Sequence, residues 1–166
     1  FHIHSGAMVI LKDLRITGGR DEDGVGGAGI LNEGSFLAVR NAEIYDNLSE
    51  LAGGGIAHYG PYLIVEDSDL YQNDSLDGAI EVNNSTECGG AIYQQGTGTL
   101  VVARSFFDMN SAQWGGGGIC QLGGELVVRD SDFYLNTSIG SGGGDTGGGA
   151  IYTLSLIHIS EPTRPY

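Results

Sequence analysis

Apolar and polar residues alternate in short stretches that recur along the chain: Val9/Leu11, Leu37/Val39, Leu63/Val65, Leu100/Val102 and Leu126/Val128. A period of two predicts strands with one buried face. Five residues after the second member of each pair comes another apolar residue, in turn Ile16, Ile44, Leu70, Phe107 and Phe133. In four coils the third residue beyond it is an asparagine: Asn47, Asn73, Asn110 and Asn136, spaced 26, 37 and 26 residues apart.

A glycine motif runs in phase with these strands. Ile30, Ile56, Ile92, Ile119 and Ile151 end the runs GGAGI, GGGI, GGAI, GGGI and GGAI, at spacings of 26, 36, 27 and 32 residues. The basic period is 26, within the range of solenoid repeats. From Asn47 to Ile56 and from Asn110 to Ile119 there are nine residues, but 19 from Asn73 to Ile92 and 15 from Asn136 to Ile151. Insertions are therefore confined to one corner.

Each coil reads as a strand carrying the Leu/Val pair, a bend at a small residue (Ala42, Ser68, Ser105 or Ser131), a second strand ending at Asn, a glycine turn, and a third strand from the glycine motif. The predicted fold is all-β, a right-handed parallel β-helix of about five coils with three short strands each, truncated at both ends. Coils stacked at roughly 4.8 Å set like on like. Inward columns of Leu, Val, Ile and Phe would fill a dry core. Asn47, Asn73, Asn110 and Asn136 are expected to form a structural ladder, because an amide can donate to one neighbour and accept from the other.

The alternation of GGAI (Gly89–Ile92, Gly148–Ile151) with FxxN (Phe107–Asn110, Phe133–Asn136) resembles the polymorphic outer membrane protein repeat and, more widely, right-handed parallel β-helix repeat proteins. Ile44 and Leu70 stand where that pattern has Phe. The resemblance implies a noncatalytic repeat module of a secreted or cell-surface protein, with an adhesive, structural or binding role, whose signal and anchor lie outside this sequence. A polysaccharide or another surface protein is the implied partner.

Composition narrows this picture. Thirty glycines with only three prolines and 40% hydrophobic residues do not describe a flexible linker. A net charge of −14 repels nucleic acid and anionic headgroups, and no apolar run has transmembrane length. Cys88 lies four residues before Ile92 and Cys120 one after Ile119, different repeat positions, so free thiols are expected. The repeat pattern (residues 1–154) stops at about Leu154; the tail, residues 155–166, SLIHISEPTRPY, holds two prolines and resembles translated sequencing-adapter read-through rather than native chain.

Pectate lyases and polygalacturonases share the β-helix, so the outward columns bear on function. Asp67, Asp69, Arg104, Asp130 and Asp132 are the candidates for a fragment of a carbohydrate-active enzyme, since such chemistry needs clustered carboxylates. Charges of mixed sign down the stacks favour a surface charge ladder instead. Calcium is the one cation that Asp21, Glu22 and Asp23, or Asp74, Asp77, Glu81 and Glu87, would suit, but neither loop has EF-hand spacing. No other cofactor is expected. His2 and His4 alternate on one strand face, His58 is isolated and His158 lies in the tail; a structural or solvent role is expected for all. Tyr45, Tyr71 and Tyr134 form an outward column suited to stacking on a ligand, and Tyr93 and Tyr152 are expected to be exposed too. Of the Asn-X-Ser/Thr sites, Asn83 and Asn84 are the ones expected to be open to glycosylation.

Overall fold

The computed structural model describes residues 1–21, 25–75, 88–140 and 148–154, and the backbone of 156–160. It is a parallel β-solenoid of about five turns, and among the described residues there is no helix. Among the described residues all inter-strand pairing is parallel and joins each strand to its equivalent one coil away.

Four sheets run along the solenoid. The first contains the five-residue strands Met8–Lys12, Phe36–Arg40, Tyr62–Glu66, Thr99–Ala103, Glu125–Arg129 and Leu156–Ser160. The second contains the three-residue strands Arg15–Thr17, Glu43–Tyr45, Asp69–Tyr71, Phe106–Asp108 and Asp132–Tyr134. A third, built from His2–Ile3, Ile30–Asn32, Ile56–His58, Ile92–Gln94, Ile119–Gln121 and Ile151–Thr153, follows the glycine motifs. The fourth is additional to the three strands per coil expected above. It holds two-residue strands just after each asparagine corner, such as Leu48–Ser49, Asp74–Ser75 and Ser111–Ala112, which are too short to leave a periodic signal.

Register explains the apolar spacing. Leu37, Leu63, Leu100 and Leu126 stand opposite one another, as do Val39, Val65, Val102 and Val128, and every one of them is buried. Ile44, Leu70 and Phe107 continue the same core, with Phe107 stacked on Phe133 at 4.6 Å between ring centroids. Each inward aliphatic side chain contributes about 1.5–3 kcal/mol on burial. The insertion corner interrupts nothing: Asp74 pairs with Ser111 before it and Ile92 with Ile119 after it.

Pairing runs on past residue 154, where the repeat was expected to stop. Leu156–Ser160 joins Glu125–Arg129, which places Ile157 and Ile159 at the register positions of Leu126 and Val128.

Two expectations are corrected on the outer side of the third sheet. Tyr93 is 1% exposed rather than displayed, and burial raises its phenol to about 12. Tyr152 packs, partly buried, at the edge of the same cluster. Ala52 and Cys88, each directly before a glycine motif, pack with Ala57, Tyr93 and Cys120 in a second apolar cluster flanked by Leu31, Leu51, Tyr59 and Leu122. This cluster also brings together two different repeat positions. Cys88 and Cys120 form a disulfide with Cα atoms 5.6 Å apart, and no free cysteine remains. Comparing equivalent positions column by column could not reveal a contact between unlike columns.

Candidate functional site

The corners that position outward side chains are held by two side-chain ladders. At the first, Asn47 Nδ2 donates to Asn73 Oδ1 (2.9 Å), Asn73 Nδ2 to Asn110 Oδ1 (3.0 Å) and Asn110 Nδ2 to Asn136 Oδ1 (2.8 Å). Each of these amides also donates to a carbonyl one coil back, of Ile16, Ile44 and Leu70 respectively. Asn136 Nδ2 donates to the Phe107 carbonyl. In the first coil Gly19 takes the asparagine's place, and its N–H donates to Asn47 Oδ1.

Serines build the second ladder. The N–H groups of Ala42, Ser68 and Ser105 donate to Oγ of Ser68, Ser105 and Ser131, and each hydroxyl donates to the carbonyl two residues before it. Sequence reading placed these residues at the bend for their size alone. Their recurrence as serine was the available signal of a hydrogen-bonded role.

Beside this corner lies a concave pocket of about 520 Å³ whose lining includes Asp13, Arg15, Asn41, Glu43, Asp67 and Asp69. Of the five candidate catalytic residues only Asp67 and Asp69 line it. Arg104 grips Asp67 with both ends of its guanidinium, Nε to Oδ1 at 2.7 Å and a terminal nitrogen to Oδ2 at 2.9 Å. That hydrogen-bonded pair holds the Asp67 carboxyl below its usual range and the Arg104 guanidinium above its own. Asp130 adds to the field at Arg104, while Asp132 sits a coil further on, opposite Phe106.

The pocket's remaining carboxylates, Asp13 and Glu43, share columns with Asp67 and Asp69, so register would have found them. Asp13 is held low by a hydrogen bond from Asn41 (2.6 Å). Glu43 pairs with Arg15 at 3.1 Å. Asp69 is shifted upward, by burial first and by the negative charge of Glu43 second. Above the pocket Glu66 lies amid Arg40 (3.1 Å), Arg129 (3.8 Å) and Arg104 (3.9 Å). The neighbouring Ala103, in register with Glu66, leaves room for those arginines. Most acids of this face thus already have a cation or an amide as partner, which limits their use as bases.

Tyr45 and Tyr71 stack at 4.7 Å with planes 4° apart. Their facing surfaces cover each other, and Asp108 separates Tyr71 from Tyr134 in the column. The three tyrosines therefore do not make one continuous platform. Next to Tyr134, which is exposed, the same side carries exposed Met109 and Leu135.

The acidic turns differ from open cation loops where they are described. Asp21 accepts hydrogen bonds from Ser49 Oγ and from the N–H groups of Val25 and Gly26. Asp74 is half-buried, with its carboxyl shifted upward by burial and by Asp46. Glu22, Asp23, Asp77, Glu81, Asn83, Asn84 and Glu87 lie outside the described residues. His58 is buried within a polar column between Asn32 and Gln94, and Asn32 Nδ2 approaches its Nδ1 at 2.6 Å. His2 and His4 meet Glu33 at the first coil.

No family model, no curated protein and no solved structure matches this chain.

Proposed function

We propose that the chain is a noncatalytic repeat module of a secreted or cell-surface protein, of the polymorphic outer membrane protein type that its GGAI and FxxN motifs resemble. Its role is adhesive, structural or binding. The Cys88–Cys120 disulfide carries this reading, because such bonds persist in oxidising compartments and are rare in the cytosol. Paired acids on the charged face and exposed Met109, Tyr134 and Leu135 fit a surface that binds rather than reacts. A polysaccharide or a protein on another surface suits this acidic scaffold better than nucleic acid does, given a net charge of −14.

One observation favours the alternative, a fragment of a carbohydrate-active enzyme. Asp69, shifted upward beside Glu43 in a concave pocket, has the character of a proton donor facing a second carboxylate. Incubation of the chain with polygalacturonate, with and without Ca²⁺, decides between the two readings. The proposal expects no chain shortening; cleavage abolished by Asp69→Asn or Asp67→Ala would replace it with the enzyme reading.

A further inference from the structure

We infer that His2, His4 and Glu33 form a surface site for a borderline divalent transition cation of the Zn²⁺ type. The inference is independent of the proposed function. Strand geometry supplies the two imidazoles, since residues two apart on an extended chain project to the same side. Coil stacking supplies the carboxylate. His2–Ile3 pairs with Ile30–Asn32 in parallel, His2 opposite Leu31 and Ile3 opposite Asn32, and the Glu33 N–H donates to the Ile3 carbonyl. The next step of that register sets Glu33 beside His4.

The side chains converge accordingly. His2 Nε2 lies 2.9 Å from Glu33 Oε2, the two imidazole centroids are 4.1 Å apart, and one donor atom from each residue falls within 4.8 Å of the others. Tetrahedral zinc holds N and O donors at about 2.1 Å, which places them roughly 3.4 Å from one another. The widest separation closes with small side-chain rotations, and all three side chains are exposed and free to make them. Two neutral imidazoles and one carboxylate leave a coordination position for water, and the donor set prefers Zn²⁺, Ni²⁺ or Cu²⁺ to Ca²⁺, which takes oxygen ligands. Among the described residues this is the one group of three such donors. The protein's negative field adds a general attraction for cations.

Calorimetric titration of the whole chain with Zn²⁺, in excess Ca²⁺ to saturate diffuse acidic binding, tests the site. The expected result is one Zn²⁺ per chain, with affinity weakened about tenfold or more in each of His2→Ala, His4→Ala and Glu33→Gln. Imidazole resonances of His2 and His4 should move with Zn²⁺ while those of His58 stay. The fold does not depend on these exposed side chains, so loss of binding reads on the site itself. No Zn²⁺ uptake in Ca²⁺, or uptake that the three variants leave unchanged, would overturn the inference.

Discussion

Asn73 donates its side-chain amide to Asn110 across 37 residues of sequence at 3.0 Å, the same bond that Asn47 makes to Asn73 across 26 residues at 2.9 Å. An insertion that lengthens one coil therefore leaves the ladder unbroken, and the strands on either side of it, Asp74–Ser75 and Ile92–Gln94, keep their registers.

Asn110 both donates to Asn136 and the Leu70 carbonyl and accepts from the Asn73 side chain and N–H. Asn110→Ala would strand several buried partners at about 1–3 kcal/mol for each group left unsatisfied. Urea unfolding should show a loss of roughly 2–4 kcal/mol. A loss below about 1 kcal/mol would mean that the ladder contributes little.

Removing the disulfide should cost about 3.7 kcal/mol, the loop-entropy value for cysteines 32 residues apart. Thermal unfolding with and without reductant measures it. A Cys88→Ser, Cys120→Ser double variant should match the reduced protein and lose all sensitivity to reductant.

Much of the architecture was legible because its signal is repetitive. The Leu/Val pairs, the asparagines and the glycine motifs each mark a column, and a column is a sequence pattern. What escaped was contact between unlike columns. Cys88 with Cys120, Tyr93 packed against Ala52 and Cys88 in one cluster, and Glu33 with His2 all depend on how side chains cross from one column to another. At the charged corner the candidate acids could be named, but the grip of Arg104 on Asp67 needed an actual rotamer.

Burial lowers the His58 imidazole from 6.5 to about 4, so the folded chain holds fewer protons than the unfolded one between those values. Stability should fall as pH drops from about 6.5 toward 4, by roughly 3 kcal/mol in all at about 1.4 kcal/mol per unit. His58→Gln, which fits a column containing Gln94 and Gln121, should flatten this part of the profile. Asp69 and Asp74, shifted upward, act with the opposite sign at the acidic end, so the difference between wild type and variant is the quantity to compare.

Leu135 and Met109 occupy the left-handed region, with φ of 49° and 51°, just before their ladder asparagines. A side chain there costs about 1–2 kcal/mol, partly offset by the greater unfolded-state freedom of glycine. Leu135→Gly should therefore stabilise the chain by about 0.5–1 kcal/mol. Leu135→Val, β-branched at the same corner, should destabilise it in the same denaturation assay.

In-register parallel stacking is tested most directly by cross-linking in a chain whose native cysteines are replaced by serine. Ile64 stands opposite Val101, whereas Thr99 lies two residues away along the same strand. Facing Cα atoms sit roughly 4.8 Å apart and the displaced pair roughly 8 Å, on either side of the bridging limit. Ile64→Cys with Val101→Cys should oxidise to an intramolecular disulfide, and Ile64→Cys with Thr99→Cys should not; the reverse outcome would contradict the stacked solenoid.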